Sequence, residues 1–334
     1  MQMNMQGNDL ARILCLGFLL PMLLLLLVLL YGMDKKPQQP NDHQQTIPTT
    51  NAPTSGKEWE VSVLYAGQCR KLSLEEYVLG VVLAEMPASF QMEALKAQAV
   101  AARTYTLKHC PQSKPHGSNM ICADAACCQA YIDPQAYIEH GGTQESVAKV
   151  RYAVSETAGL VLEYEGELID ATYFSCSGGT TEDALEVWGQ DVPYLQSVPS
   201  PGEEEAAVFE DCKIFSPEEF QKALGVILAG KPENWFEAAS YTDSGSIRTY
   251  RIGGVDYRGT TLRQLLGLRS TVFTVSVSKN QIIFDTRGFG HRVGMSQYGA
   301  NAMAKAGSSF RDILTHYYTG TLIVQYIADS GETK

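Results

Sequence analysis

The feature that most limits the architecture of this chain is an apolar segment near its N-terminus. Residues 13–33 read ILCLGFLLPMLLLLLVLLYGM, which is 21 residues without a charge. A helix of about 20 apolar residues spans a bilayer, whereas the apolar part of a cleaved signal peptide is about 7–15 residues long. No small-residue cleavage site follows, and Pro21 would kink such a helix without forbidding it. The segment therefore predicts a single-pass transmembrane anchor, preceded by a short cytoplasmic tail at residues 1–12.

The segment that follows has the composition of a tether. Residues 34–57, DKKPQQPNDHQQTIPTTNAPTSGK, are rich in Pro, Gln, Thr and Asn and almost lack large apolar side chains. Such a segment cannot bury enough apolar surface to offset the entropy lost on ordering. We predict a disordered linker at 34–57 and a folded region at 58–330 outside the cytoplasm. Basic residues flank both sides of the anchor, so this orientation depends on the short N-terminal tail.

The charge of the chain limits its partners. The 334 residues carry a formal net charge of -11, and no Lys- or Arg-rich run is present. Proteins that bind nucleic acid usually present a basic surface, so we expect no nucleic-acid partner. The length is compatible with one or two domains.

The folded region opens with a strand pattern and a capped helix. Residues 59–64, WEVSVL, alternate with period two, which predicts a strand. Ser73 and Glu76 have the spacing of a capping box, and the residue before a proline disfavours the helical conformation. We therefore predict a helix that begins after Ser73 and ends before Pro87.

Glu85 is a single carboxylate at the end of this apolar helix. On a helical wheel it lies between Val78, Val81 and Val82. Burial and the negative end of the helix dipole both disfavour a charged carboxylate, so we predict a raised pKa that suits a general acid. The alternative is a side chain that extends to solvent or pairs with an arginine.

Arg103 is the sole charge in the middle of a second predicted helix. This helix covers residues 91–108, QMEALKAQAVAARTYTLK, and its alanines let another backbone approach closely. Arg103 is a candidate to hold a substrate or to support the carboxylate of Glu85. The alternative is a plain ion pair with Glu85.

Four ordered segments resemble the stage II sporulation protein D family, and the resemblance covers residues 58–326. They are EEYVLGVVLAEMPASFQMEALKAQAVAARTYTL at 75–107, YFSCSGGTTEDALEVWGQDVPYLQSV at 173–198, LRQLLGLRSTVF at 262–273 and GFGHRVGMSQYGANAMAKAGSSFRDILTHYYTGT at 288–321. The resemblance implies a lytic transglycosylase of peptidoglycan that acts in engulfment during sporulation. It also implies that Glu85, the Glu of the family's EMP motif, is the catalytic acid.

The implied reaction explains why one carboxylate is enough. The enzyme cuts between N-acetylmuramic acid and N-acetylglucosamine, and the muramic C6 hydroxyl attacks C1 to leave a 1,6-anhydro end. Most glycosidases need two carboxylates. When the nucleophile belongs to the substrate, one carboxyl group can protonate the leaving oxygen and then deprotonate the attacking hydroxyl.

The resemblance also implies partners and a location. The expected substrate is a glycan strand already stripped of its peptides. The expected protein partners are a sporulation amidase like stage II sporulation protein P and a membrane scaffold like stage II sporulation protein M. The catalytic region is expected in the space between the mother-cell and forespore membranes.

The closing segment GFGHRVGMSQYGA carries further candidate substrate-binding residues: His291, Ser296, Gln297 and Tyr298. Ser296 can cap a helix that runs to Ala306. By resemblance this loop faces the cleft and contacts sugar hydroxyls and N-acetyl groups. The alternative is a scaffold loop whose polar side chains only cap the helix.

Tyr194, Gln196 and Arg292 also lie in these segments. Tyr194 is a candidate substrate-binding residue, although a core aromatic is the alternative. By resemblance a basic residue is expected two positions later, where this chain has Gln196. Arg292 stands where family members commonly have glycine.

A cysteine-rich insert at residues 109–128 reads HCPQSKPHGSNMICADAACC. His116, Cys122 and Cys128 recur at six-residue intervals, and imidazole with thiolates favours zinc. Some relatives carry a metal at a His and two Cys in this stretch. We predict Zn²⁺ with a structural role and leave the fourth ligand open. Disulfides are the alternative, and a separate Cys176–Cys212 disulfide is a further possibility.

These observations predict an α+β fold in which a helical layer with the catalytic segment packs on antiparallel sheet. The closing segment is expected on the opposite side of the groove, and residues 200–260 form a possible subdomain. FSPEEFQKALG, at 215–225, predicts a capped helix there. Two other functions remain open: a non-catalytic amidase enhancer that binds peptidoglycan, and a zinc hydrolase that acts on the stem peptide.

Overall fold

The computed structural model describes residues 59–112, 116 and 120–326. The predicted cytoplasmic tail, transmembrane anchor and linker lie outside the described residues, so these three assignments stay predictions. Within the described part of the chain, no helix is both long and apolar enough to cross a bilayer.

Helices and small sheets alternate along the described chain, which confirms the predicted α+β class. The α-helices are α1 (Leu74–Glu85), α2 (Met92–His109), α3 (Pro134–Glu139), α4 (Gln144–Ser155), α5 (Ala184–Trp188), α6 (Pro217–Leu224), α7 (Gly259–Leu266), α8 (Gln297–Lys305) and α9 (Phe310–Tyr317). The strands are β1 (Glu60–Tyr65), β2 (Gln68–Ser73), β3 (Met120–Cys122), β4 (Leu160–Tyr164), β5 (Glu167–Leu168), β6 (Tyr173–Phe174), β7 (Glu210–Phe215), β8 (Phe236–Tyr241), β9 (Ile247–Ile252), β10 (Val255–Arg258), β11 (Val272–Ser278), β12 (Gln281–Arg287), β13 (Met295–Ser296) and β14 (Leu322–Gln325).

The strands form several small sheets instead of one large sheet. Four sheets have three strands. Those in the orders β10-β9-β8, β11-β12-β7 and β14-β4-β5 contain only antiparallel pairs, and the fourth has the order β2-β1-β3. β1 pairs in antiparallel with β2 but in parallel with β3, and β6 pairs in parallel with β13. The β1–β2 turn is a two-residue turn in which Ala66 and Gly67 have φ of 50° and 76°. Such angles match a type I′ turn, which suits the twist of a hairpin.

Helix α2 is the centre of the larger core. Twelve of its 18 residues are buried, and its alanines 94, 97, 99, 101 and 102 are fully inaccessible. It packs against α1, α4, α8, α9 and β4. The alanines permit this close approach from several sides, as the sequence predicts.

A second core lies in the segment from Phe215 to Phe284. Helices α6 and α7 pack there against the sheets of β8–β10 and of β7, β11 and β12, around buried Phe220, Trp235 and Phe273. This core extends beyond the predicted subdomain boundary at residue 260. It does so because β12 pairs with β7, from Ile282–Phe215 to Arg287–Glu210. Residues far apart in sequence therefore complete one sheet.

Candidate active site

Glu85 is the last residue of α1, and its carboxylate is half-buried. The helix ends there as predicted, because Met86 adopts an extended conformation before Pro87. Val78, Val81 and Val82 are fully buried beside it. The backbone N–H of Ala130 donates to Oε1 at 3.0 Å, and Nε2 of Gln297 donates to Oε2 at 3.3 Å.

Burial raises the pKa of Glu85 above its ordinary value of 4.5. The hydrogen bonds from Ala130 and Gln297 favour the charged form and partly oppose this rise. Among the described residues no second carboxylate is hydrogen-bonded to Glu85 or perturbs its pKa. The carboxyl group is therefore an isolated acid with two donors that can receive its charge after it loses a proton.

Gln297 reaches Glu85 because the closing segment places it at the start of α8. Ser296 caps this helix by accepting from the N–H of Gly299 at 3.2 Å, and Gln297 itself is 6% exposed. Predicted site residues that are 212 positions apart therefore meet. Gln297 of the closing segment therefore faces Glu85, and its contact with a substrate stays a prediction.

Ser296 has a supporting role and is fully buried. Besides capping α8, its hydroxyl donates to Glu203, a carboxylate with 1% exposure. Glu203 also accepts from the hydroxyl of Ser177 at 2.7 Å and from the N–H groups of Ser177 and Gly178 at 3.0 Å each. Sequence reasoning missed Glu203, because it opens the run EEE at 203–205, which has the composition of a solvated surface.

Tyr173 and Gln129 form a second network that sequence reasoning missed. The Tyr173 hydroxyl donates to Oε1 of Gln129 at 2.8 Å, and Nε2 of Gln129 donates to Thr106 at 2.9 Å. Burial, followed by the negative charge of Glu85, raises the pKa of Tyr173. Tyr173 therefore lies close to Glu85 and stays a neutral phenol.

The alternative for Arg103, an ion pair with Glu85, is not formed. The Arg103 guanidinium is fully buried and binds Glu75, at the opposite end of α1, through contacts of 2.9 and 2.6 Å. It also donates to the carbonyl of Leu160 at 3.0 Å. The register of α1 explains the difference, because Glu75 and Glu85 are ten residues apart, or roughly 15 Å along the helix. The structure does not bring Arg103 to the acid.

His291 uses both ring nitrogens within the loop. Nε2 donates to the carbonyl of Tyr173 at 3.1 Å, and Nδ1 accepts from the N–H of Val293 at 3.2 Å. Burial, with the charge of Arg263 as a smaller cause, lowers the pKa of His291 to about 4. The His291 imidazole is therefore neutral and lies between the rings of Phe174 and Trp188, where its two hydrogen bonds hold the loop in shape.

The two tyrosine candidates also make internal contacts. The Tyr298 ring packs edge-on against Phe90 at 5.0 Å, and its N–H donates to the carbonyl of Ser175. The Tyr194 hydroxyl accepts from the N–H of Asp170 at 3.1 Å. Both tyrosines therefore have partners inside the protein, and neither is hydrogen-bonded to Glu85.

Arg292 keeps the backbone conformation that a glycine would favour, with φ of 70°. Its buried guanidinium donates to the carbonyls of Ser177 and Thr180 at 2.8 and 2.6 Å, and to Ser246. It also lies 3.5 Å from the buried carboxylate of Glu182. These contacts offset the conformational free energy cost of an arginine in the left-handed backbone region. They also connect the closing loop to the second core.

The cysteine-rich insert brings four possible metal ligands together. The ligand atoms of His116, Cys122, Cys127 and Cys128 all lie within 4.8 Å of one another. The set contains the three predicted ligands and adds Cys127. All seven cysteines of the described residues are free, so the Cys176–Cys212 disulfide is not formed.

Comparison with known proteins identifies the family of the chain. A sequence model of the family described as Stage II sporulation protein (SpoIID) matches residues 65–164, which include Glu85 and the four possible metal ligands. Stage II sporulation protein D of Bacillus amyloliquefaciens is 40% identical over 268 residues, which cover 79% of this chain and 77% of that protein.

Two proteins of Bacillus subtilis strain 168 are also similar. Its stage II sporulation protein D is 40% identical over 75% of this chain and 74% of that protein. Its amidase enhancer is 30% identical over 74% of this chain and 40% of that protein. Because similarity to the first two relatives extends over most of their length, the chain belongs to the stage II sporulation protein D family.

Proposed function

We propose that this protein is a membrane-anchored lytic transglycosylase that cleaves the bond between N-acetylmuramic acid and N-acetylglucosamine in peptidoglycan during sporulation. The observation that carries the proposal is the environment of Glu85. This carboxyl group has a raised pKa, two hydrogen-bond donors and no carboxylate partner among the described residues. A reaction with an external water would normally use two carboxylates.

In the proposed reaction, Glu85 donates its proton to the glycosidic oxygen as the bond from that oxygen to C1 breaks. The N–H of Ala130 and the amide of Gln297 stabilise the carboxylate that results. The muramic C6 hydroxyl then forms the new bond to C1 and returns its proton to Glu85. The two steps leave a 1,6-anhydro end, regenerate the acid and consume no water.

Product analysis tests this reaction. Purified full-length protein is incubated in H₂¹⁸O with glycan strands stripped of peptides, and the products are separated and weighed by mass spectrometry. We expect 1,6-anhydro-muramic ends without ¹⁸O, and a loss of at least about 100-fold in rate for Glu85→Gln. Glu76→Gln is the matched control, because Glu76 lies on the same helix and pairs with Arg151 on the surface. Reducing ends that carry ¹⁸O would overturn the proposal.

An amidase enhancer is the second candidate, favoured by the similarity to the protein of that name. An enhancer would stimulate a sporulation amidase without making anhydro ends, and Glu85→Gln would leave that stimulation unchanged. The expected partners of either function are this amidase, like stage II sporulation protein P, and a membrane scaffold like stage II sporulation protein M.

We further propose that the insert binds Zn²⁺ through His116, Cys122, Cys127 and Cys128. In a tetrahedral zinc site the ligand atoms lie roughly 3.8 Å apart, given Zn–S distances of about 2.3 Å. The contact from Nε2 of His116 to Sγ of Cys127 is 3.3 Å, and the one from Cys127 to Cys128 is 3.9 Å. Four protein ligands leave no open position, which favours a structural metal over a zinc hydrolase.

A further inference from the structure

A cavity of about 710 Å³ lies beside the cysteine cluster and is not used by the reaction at Glu85. One wall is the carboxyl end of α2, a second is the segment 127–129, and a third contains β5 and Asp170. Sites for small molecules usually measure about 300–1,000 Å³. The cavity is therefore large enough for a sugar residue or two.

Its walls present an aromatic ring next to a fixed polar pair. Nε2 of His109 lies 2.8 Å from Oδ1 of Asp170, and the Tyr105 ring lies 4.2 Å from the His109 ring. The Tyr194 hydroxyl accepts from the N–H of Asp170 and donates to Oδ2 at 3.4 Å. Tyr194 therefore holds Asp170 in place.

The charges that line the α2 wall are already paired inside the protein. Lys108 donates to the carbonyl of Leu168 at 2.6 Å, and His109 is paired with Asp170. Such a wall suits an uncharged ligand with many hydroxyl and amide groups. An aromatic ring beside polar groups gives a sugar both a face to pack on and partners for its hydroxyls.

One segment of the chain contacts both the cavity and Glu85. Gln129 lines the cavity, and the next residue, Ala130, donates its N–H to Glu85. Gln129 is also the acceptor for Tyr173, whose pKa the charge of Glu85 affects. The segment 129–130 therefore joins a wall of the cavity to a hydrogen-bond donor of Glu85.

We propose that this cavity is a saccharide subsite that takes an N-acetylhexosamine of the strand next to the cleaved pair. Asp170, held next to His109 and Tyr194, binds its polar groups, and the Tyr105 ring packs on its face. The inference rests on the proposed function, since it assumes a glycan substrate at Glu85.

Calorimetric binding of a defined oligosaccharide tests the subsite. The probe is a β-1,4-linked tetramer of N-acetylglucosamine, and the full chain carries Glu85→Gln so that no cleavage occurs. We expect Asp170→Asn to weaken the affinity about tenfold, the effect of one charged hydrogen bond. Asp256→Asn, in an exposed pair with Arg251 on the second core, is the control and should leave the affinity unchanged.

An NMR measurement keeps the test independent of any effect of the substitution on folding. With labelled histidines, the His109 ring signal should move on addition of the tetramer, and the His316 ring, bonded to the Pro199 carbonyl, should not. Equal affinity in Asp170→Asn with an unmoved His109 signal would overturn the subsite. A His109 signal that moves on addition of the free stem peptide, and not on addition of the tetramer, would also overturn the proposed subsite. Neither result alters the product analysis, so the proposed function is judged separately.

Discussion

At the scale of single residues, the behaviour of Glu85 follows from a balance of burial against hydrogen bonding. Burial raises its pKa, and two donors lower it by less. The apolar helix allowed this carboxylate to be found from sequence, and Gln297 could be named from its segment. Ala130 could not be predicted from the sequence. It acts through its backbone N–H, and an alanine side chain does not indicate a functional position.

Glu85→Gln should make the protein more stable near neutral pH. Because the pKa is raised on folding, the native protein keeps a proton that the unfolded chain has lost, so wild-type stability falls as pH rises from 4.5 through the folded pKa. Glutamine has no such proton. The melting temperatures of the two proteins should match near pH 3.5 and diverge in favour of the variant by about pH 7. A constant difference across this range would contradict the raised pKa.

Arg103→Ala should destabilise the fold by about 3–5 kcal/mol, because it removes a large, fully buried side chain and its contacts, while Glu75, whose side chain is 36% exposed, loses its partner. This corresponds to roughly 10 °C or more in melting temperature. Arg151→Ala is the matched control: its half-exposed pair with Glu76 should be worth at most about 1 kcal/mol. Thermal unfolding of both variants measures the difference. If Arg103→Ala keeps wild-type stability but loses activity, Arg103 acts in catalysis after all.

Arg292→Gly restores the residue expected from the family, yet it should destabilise this chain by about 3 kcal/mol, since buried Glu182 loses its partner. Adding Glu182→Gln should recover part of that loss, because no buried charge is then left unpaired. Denaturant unfolding of the single and double variants gives the coupling energy. Independent, additive effects would show that the two residues do not interact.

At the scale of helices and strands, local caps made several elements predictable. Ser216 and Glu219 form the capping box of α6, and Ser309 caps α9. For α1 only half of the expected box forms: Ser73 accepts from the N–H of Glu76, whose side chain instead pairs with Arg151. The pairing of β7 with β12 escaped prediction because it joins residues about 70 positions apart and leaves no local pattern.

The cap of α8 links stability to the site, and a pair of substitutions separates the two effects. Ser296→Ala and Ser309→Ala each remove a helix cap; Ser309→Ala should cost about 1 kcal/mol, and Ser296→Ala about 2–3 kcal/mol because it also removes a hydrogen bond to buried Glu203. Glycan cleavage should fall only in Ser296→Ala, because α8 carries Gln297 and α9 does not reach Glu85. Equal activity of the two variants at a temperature where both are folded would contradict a link from α8 to the acid.

At the scale of the whole molecule, the insert and the closing loop stabilise the same region from two sides. The segment that contains Cys127 and Cys128 leads directly to Ala130, and the closing loop supplies Gln297. The sequence predicted three of the four possible metal ligands by their spacing. Cys127 was left out because the six-residue spacing selects Cys128 and does not indicate that both adjacent cysteines share one site.

Removal of zinc should destabilise the folded protein. When free zinc exceeds its Kd by about 1,000-fold, the bound metal contributes about 4 kcal/mol, which a chelator should remove. X-ray absorption of the zinc-loaded protein should show three sulfur ligands, and Cys127→Ser should show two. Cys69→Ser, an exposed cysteine outside the cluster, is the control. Two sulfur ligands in both the wild type and Cys127→Ser would exclude Cys127 from the site.

The proposed reaction depends most on the protonation of Glu85, and a ¹³C NMR titration of the glutamate carboxyl groups measures it. Comparison of wild type with Glu85→Gln identifies the Glu85 signal. We predict that its midpoint lies above 4.5, and that Gln297→Ala moves it further up because a donor to the carboxylate is lost. A midpoint at or below 4.5 would contradict the assignment of Glu85 as the catalytic acid.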